Sequence, residues 1–259
     1  SFAEFMSTLA AAENTQYTGA WTTFSSMEKN WAYRQDQLSS THPIKARIRD
    51  LDDVLVNFDG ITYAKGASVL RQLVAWVGQE NFMAGVRAYI AQHAWGNTEL
   101  PDLMSELEAA SGRDLSEWTR VWLETSGVNT LRTEVETDEA GTITALRLRQ
   151  SAPDGSPSAP GDDVLRPHRL AVGFYDVDEA TGRLTRTERF ELDVAGEVTE
   201  VAEAAGRRRP AVILPNDDDL AYAKLRLDDA SWEAASTRLK DVDGSLARTL
   251  LWGAAWDTV

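Results

Sequence analysis

The chain has 259 residues, 43% of them apolar, a net charge of −15 and no cysteine. That length and apolar content suffice for a sizeable core, arranged as one large domain or two to three small ones. The lack of thiols excludes disulfides and thiolate metal sites and fits a reducing compartment, with cytoplasm as the default, while carboxylates that outnumber bases throughout exclude the cationic footprint a nucleic-acid partner needs.

The opening SFAEFMSTLAAAEN has no initiator Met and no basic stretch, and Glu4 interrupts its apolar pattern, so it reads as a cut end and not as a signal peptide. Trp21, Phe24, Glu28, Trp31, Gln35 and Leu38 recur at intervals of three and four. This spacing predicts an aromatic stripe on a helix that ends near Ser39, before Thr41-His42-Pro43 breaks it. A second helix carries Gly66, Leu70, Leu73, Val74 and Val77 and ends at Gly78; a third carries Phe82, Val86, Tyr89, Ile90 and His93. Asn97 or Thr98 is placed to cap a fourth helix through Leu103, Leu107 and Ala110 to Gly112. Asp114 opens a fifth, with Glu117 positioned for a capping box and Leu115, Trp118, Val121 and Trp122 facing inward. Residues 1–127 thus form one helical unit.

From Val128 the apolar period falls to two. Leu131, Thr133 and Val135, then Ile143, Leu146 and Leu148 across an Asp-Glu-Ala-Gly turn, predict a hairpin, and residues 151–163 are dense in Pro, Gly and Ser and read as a long loop. His168, Leu170, Val172 and Phe174 face one way, a turn around Asp178 to Gly182 reverses the chain, and Phe190, Leu192 and Val194 come after it. With a last strand at Ala211 to Leu214, ended by Pro215, this predicts a small antiparallel β domain over 128–217. Helical patterning returns in residues 218–259: Asp229 is the expected cap of a helix with Trp232, Ala235 and Leu239, and a second helix bears Leu246, Leu250 and Trp256 and stops without a closing signal. Ala247 to Trp256, the longest apolar run, is broken by Arg248 and Gly253 and is too short for a bilayer span, so no membrane partner is expected. Arg207-Arg208-Arg209, Asp176-Val177-Asp178 and Asp217-Asp218-Asp219 read as solvated turns; neither acidic group has the EF-hand loop that Ca²⁺ would require.

Zinc hydrolysis needs paired imidazoles and a carboxylate, usually two His one helical turn apart. The only histidines, His42, His93 and His168, are separated by dozens of residues, and none has a His or carboxylate four positions away, so each reads as structural. Neither a G-x-S-x-G elbow nor a glycine-rich phosphate loop is present.

One segment concentrates chemistry, Asn57-Phe-Asp-Gly-Ile-Thr-Tyr63-Ala-Lys65-Gly66-Ala-Ser-Val-Leu-Arg-Gln-Leu73. Its Tyr63-Ala-Lys65-Gly66-Ala67 resembles the Y-x-K-G-A motif of aminopeptidase N type zinc metallopeptidases, in which the tyrosine hydroxyl hydrogen-bonds the oxyanion of the tetrahedral intermediate. The resemblance is co-linear along the chain. Ser1-Phe-Ala-Glu-Phe-Met is similar to the stretch just after the family's third zinc ligand, a glutamate, which by that match precedes Ser1. Ser39 to Ile44 and Phe58-Asp59 match the family's lead-in to the tyrosine; Trp95-Gly-Asn97-Thr-Glu-Leu, Trp122-Leu-Glu-Thr-Ser-Gly127, and Leu214-Pro-Asn216 with Tyr222-Ala-Lys224 match later landmarks. Gly127-Val128-Asn129 departs from the family's frequent Gly-Phe-Pro, and the H-E-x-x-H and G-x-M-E-N segments are absent.

The resemblance implies an α+β multidomain fold: the helical half of a thermolysin-like catalytic domain over 1–127, a small antiparallel β-sandwich over 128–217, and the beginning of an α-helical C-terminal domain over 218–259. It implies a fragment of a zinc-dependent aminopeptidase acting on peptides with a free N-terminus. Zinc is then a cofactor of the intact protein, this fragment holds no metal and is inactive alone, and Tyr63 is the one catalytic residue within it. Read from the residues alone, Tyr63 shares a helical phase with Gly66, Leu70, Val74 and Val77, so its ring packs on the core whatever its hydroxyl does. The alternative function is a non-catalytic binding or scaffold protein made of a helical domain and a β module.

Overall fold

The structure is a computed structural model that describes residues 1–152 and 164–258, so most of the loop expected over 151–163 lies outside the described residues. Helix α1 (Phe2–Asn14) turns Phe5 and Leu9 inward. Helix α2 (Ala20–Thr23) continues through a π-helical stretch, Phe24–Lys29, into α3 (Asn30–Asp36). The wider π turn advances the buried stripe by one position, so Lys29, Ala32 and Asp36 are inside where the spacing predicts Glu28, Trp31 and Gln35. The helix ends at Asp36, short of Ser39, and Leu38 is exposed. A short helix α4 (Leu51–Val56) has no counterpart in the apolar pattern, because Leu51, Leu55 and Val56 are exposed and trace no buried stripe; Asp50 caps it by accepting from the Asp53 N–H.

A second π-helical stretch, Ile61–Lys65, leads into α5 (Gly66–Val77), succeeded by α6 (Gln79–His93), α7 (Leu100–Ser111) and α8 (Ser116–Leu123). Phe82 and Val86 are buried, whereas Ile90 is exposed. Glu99, not Asn97 or Thr98, caps α7 in a reciprocal box with Asp102, and Gly112 closes that helix with φ +69°. Leu115, Trp118, Val121 and Trp122 are all buried as expected; Glu117, however, pairs with Arg120, and Asp114 accepts the Ser116 N–H.

The strands are β1 (Thr130–Thr137), β2 (Ile143–Ser151), β3 (His168–Val177), β4 (Leu184–Val194), β5 (Val198–Glu200), β6 (Val212–Asp217) and β7 (Lys224–Arg226). They form a four-stranded sheet in the order β5-β2-β1-β7 and a three-stranded sheet in the order β4-β3-β6. The first sheet is mixed and not purely antiparallel, because β7 pairs in parallel with β1. Its chain arrives by a crossover from the edge strand of the other sheet instead of a hairpin. Strand β6 runs through Pro215, the residue expected to end it; Pro215 sits at the edge of its sheet beside a register shift, where a missing N–H is tolerated.

Helices α9 (Asp229–Arg238), capped by Asp228 and not Asp229, and α10 (Ser245–Trp256) complete the chain. Ala235, Ala247, Leu250, Leu251 and Ala254 from these helices join one apolar core with both sheets, while Trp252 and Trp256 are exposed. A second core belongs to the helices of residues 1–123 other than α4 and receives Tyr222 from the segment between β6 and β7. Among the described residues no helix is long and apolar enough to cross a membrane.

His168, at the start of β3, is fully buried and edge-on to the Trp122 ring, with Nε2 2.9 Å from the Gln150 Oε1. Burial, aided by the nearby Arg166 and Lys29 cations, lowers its pKa to about 3. The folded protein therefore binds fewer protons than the unfolded chain between about pH 3 and the ordinary histidine value, and stability falls as pH drops through that window. A His168→Leu variant is expected to be less stable at pH 7 but to lose less stability between about pH 6.5 and 4; urea unfolding of both proteins at each pH measures the difference.

Candidate functional site

The turn that bears Tyr63 is fixed at both ends by polar contacts. At its start, Asp59 Oδ1 accepts the Ile61 and Thr62 N–H groups, both at 3.0 Å, and the backbone N–H of Tyr63 bonds the Asp59 carbonyl. Asp59 thus caps this turn by satisfying donors that a helix start leaves free. Its Oδ2 lies 3.0 Å from His42 Nε2, and His42 Nδ1 lies 2.8 Å from the Pro43 carbonyl oxygen. The lead-in residues around His42 and the Phe58-Asp59 pair therefore meet in space as one cap. Gln35 of α3 accepts the Gly60 N–H at 2.6 Å, and a Cβ at Gly60 would sit 2.7 Å from that oxygen and 2.9 Å from the Trp31 ring. Glycine is required there by proximity, not by φ.

At its end the turn is held by Lys65, fully buried and 2.7 Å from Asp36 Oδ2. Asp36 also accepts from Thr41 Oγ1, from the Gly127 N–H and from the Tyr222 hydroxyl. Lys65 donates to the Gly127 carbonyl and lies over the Tyr222 ring at 5.5 Å. Burial lowers the Lys65 pKa to about 8; the neighbouring Arg166 also lowers it, and Asp36 opposes both. Arg166 is itself buried and donates to Val121, Ser126, Thr125 and Asn129 around the end of α8.

Tyr63 is half-buried and its ring lies 5.5 Å from the exposed Phe58 ring. Of the residues in the predicted phase, Gly66 and Val77 are buried, whereas Tyr63, Leu70 and Val74 are only partly buried and lie on the flank of the core. The π turn over Ile61–Lys65 accounts for this offset from the predicted phase. The hydroxyls of Tyr33, Tyr89, Tyr175 and Tyr222 each have a hydrogen-bond partner. The Tyr63 hydroxyl, like that of the exposed Tyr17, has none among the described residues, and it is not a buried orphan. On the backbone of the same turn, Ser1 Oγ donates to the Thr62 carbonyl at 2.5 Å, and a Cβ on Gly66 would lie 2.7 Å from the Ser1 Cβ. The residue that precedes α1 therefore abuts the Tyr63 turn.

The three histidines do not converge: His42 pairs with Asp59, His168 with Gln150, and His93 stacks near Tyr89. Among the described residues no three His, Asp or Glu side chains gather as ligands for a metal ion. A cleft of about 870 Å³ lies elsewhere, between α3 and α10, and no residue of the Tyr63 turn lines it.

Of the groups expected to be solvated turns, Asp217-Asp218-Asp219 is instead built largely into the interior, whereas Arg207 and Arg208 are exposed as expected. Asp219 is buried against Lys29, and Asp217 accepts from the Tyr175 hydroxyl and from Arg186. Arg209 bonds Asp228, the cap of α9, while Arg207 pairs with Glu188. Gln35, on the predicted stripe, and Asp36, beside it, support the Tyr63 turn, a role the local pattern does not assign to either. The only signal in the sequence is a carboxylate one residue off an aromatic stripe.

Residues 1–122 match the family model described as the peptidase family M1 domain. The chain is 58% identical over 248 residues to aminopeptidase N of Streptomyces lividans, covering 96% of this chain and 29% of that protein. It is 36% identical over 132 residues to tricorn protease-interacting factor F2 of Thermoplasma volcanium, across 51% of this chain and 17% of the relative. To the mitochondrial aminopeptidase 2 of Saccharomyces cerevisiae it is 31% identical over 194 residues, across 74% of this chain and 20% of the relative. The chain thus spans less than a third of the length of each.

Removing the Asp36 carboxylate would leave Lys65 as an uncompensated buried cation. Asp36→Ala is expected to destabilise the fold by about 3–5 kcal/mol, and Asp36→Leu combined with Lys65→Met by much less, as read from urea unfolding midpoints.

Proposed function

The chain belongs to the aminopeptidase N family of M1 peptidases, and from that premise we propose that Tyr63 is the oxyanion-stabilising residue of a zinc aminopeptidase that removes N-terminal residues from peptides. The observation that carries the proposal is the Tyr63 hydroxyl, unpaired among the described residues, on a turn rigidly held at both ends. A phenol already donating to a backbone carbonyl would have to break that bond before serving a substrate. A free donor on a fixed turn can instead stabilise negative charge as it develops, at no reorganisation cost.

The zinc that activates water in such enzymes would be held by ligands that the described residues do not supply. The successive parts of this segment correspond to the helical part of a catalytic domain, then a β module, then C-terminal helices. Peptide substrates, a thermolysin-like arrangement of that catalytic domain and a cytoplasmic location belong to the same proposal, the last resting on the cysteine-free composition.

In the whole enzyme, Tyr63→Phe is expected to lower kcat on an aminoacyl arylamide by about 10² to 10³, roughly 2.7–4 kcal/mol, with little change in KM. A loss of less than about fivefold would assign Tyr63 to packing and favour a binding or scaffold role for this part of the protein. The 259-residue chain alone, assayed with added Zn²⁺ on the same substrate, is expected to show no turnover; steady turnover would refute the placement of the metal ligands outside it.

A further inference from the structure

Proton counting at the cap of the Tyr63 turn assigns a task to a residue that takes no part in the proposed chemistry. Both ring nitrogens of His42 face groups that can only accept: the Pro43 carbonyl at 2.8 Å and the Asp59 carboxylate at 3.0 Å. A neutral imidazole has one N–H and can satisfy only one of them. Whichever nitrogen carries that proton, the Pro43 carbonyl and the Asp59 carboxylate bracket the ring from both sides. Both side chains are mostly shielded, 18% and 17% exposed, so water does not readily replace either partner. The other oxygen of the same carboxylate receives the Ile61 and Thr62 N–H groups, and Tyr63 comes directly after them. Asp59 therefore cannot rotate to a new hydrogen-bonding position without releasing either His42 or the turn.

We propose that His42 is a positioning residue for Tyr63, locking the Asp59 cap and thereby the direction in which the Tyr63 hydroxyl is presented. This rests on the oxyanion role proposed for Tyr63. A misplacement of about 1 Å of a group acting in the transition state can cost on the order of 10²-fold in rate. A clamp two contacts away from the reacting atoms is therefore expected to act on kcat and not on substrate binding.

The test is a double-mutant cycle in the whole enzyme, with aminoacyl arylamide turnover as the readout. His42→Phe is expected to lower kcat by about tenfold or more, with KM within about twofold, in a Tyr63 background. In a Tyr63→Phe background the same change is expected to have almost no effect, because the hydroxyl it positions is gone. Asp59→Asn should retain most of the activity: its carbonyl oxygen still caps Ile61 and Thr62, and its NH₂ can donate to a neutral His42 ring. Asp59→Ala should behave like His42→Phe. Hydrogen exchange of a peptide spanning residues 58–66 in the intact protein gives a readout independent of catalysis, with faster exchange expected in His42→Phe and not in Asp59→Asn. Equal kcat losses from His42→Phe in both backgrounds, or unchanged exchange at the turn, would overturn the positioning role while leaving the proposal for Tyr63 intact. If Tyr63→Phe itself costs nothing, the oxyanion role falls first.

Discussion

Asp36 and Lys65 form a fully buried ion pair between the end of one helix and the start of another, and the architecture of the chain converges on it. The carboxylate accepts four contacts from four separate parts of the sequence: Lys65, Thr41, Gly127 and Tyr222. A charge so far from water is tolerated only when its lone pairs are filled, so these segments are obliged to meet at one point. The loop after α3, the π turn before α5, the exit from the helical unit and the link between β6 and β7 are thereby tied together. Tyr63, two residues before Lys65, inherits its location from this constraint.

The two π-helical stretches are what make such polar burial possible. Each ends on a lysine, Lys29 in the first and Lys65 in the second, and each lysine is turned into the interior against an aspartate. An α-helical register would have kept Lys29 one position away from the buried stripe. With the wider turn, Lys29 reaches Asp219 and the Ala221 carbonyl, and Lys65 reaches Asp36. The same widening moves Tyr63 from the core to its flank. A feature that costs helix regularity thus anchors the turn while the Tyr63 hydroxyl keeps no partner among the described residues.

The segment Asn216 to Tyr222 acts as the seam between the two apolar cores. Asn216, Asp218 and Asp219 adopt left-handed backbone conformations, with φ between +57° and +64°, a local cost offset by the contacts the bend allows. Asn216 closes the bend by accepting the Ala221 N–H and donating to its carbonyl; Arg71 of α5 donates to the Asp218 carbonyl and stacks on Trp21 at 3.6 Å. Asp217 faces the sheets, whereas Asp219 and Tyr222 face the helices. The β module is consequently bound to the helical unit by buried polar chemistry, and the Tyr222 hydroxyl connects the seam to Asp36 at the base of the Tyr63 turn.

The sequence by itself determined the succession of elements: helices with apolar stripes such as Leu115, Trp118, Val121 and Trp122, then strands with a period of two, then helices again. These assignments hold because they arise from local spacing and from burial of one face. It also determined the motif around Tyr63, since a tyrosine with a lysine and a glycine after it at a helix start is a local pattern. Tertiary structure alone decided which phase of α3 and of the π turn is innermost, because an extra residue in a helical turn leaves no compositional trace. It also decided that Asp217 and Asp219 are interior and not solvated, that β7 pairs in parallel with β1, and that His42, Asp59, Gln35 and Asp36 surround one turn. Those outcomes depend on partners distant in sequence, some more than a hundred residues away, and a charged side chain reveals whether it is solvated or buried only once its partner is in place.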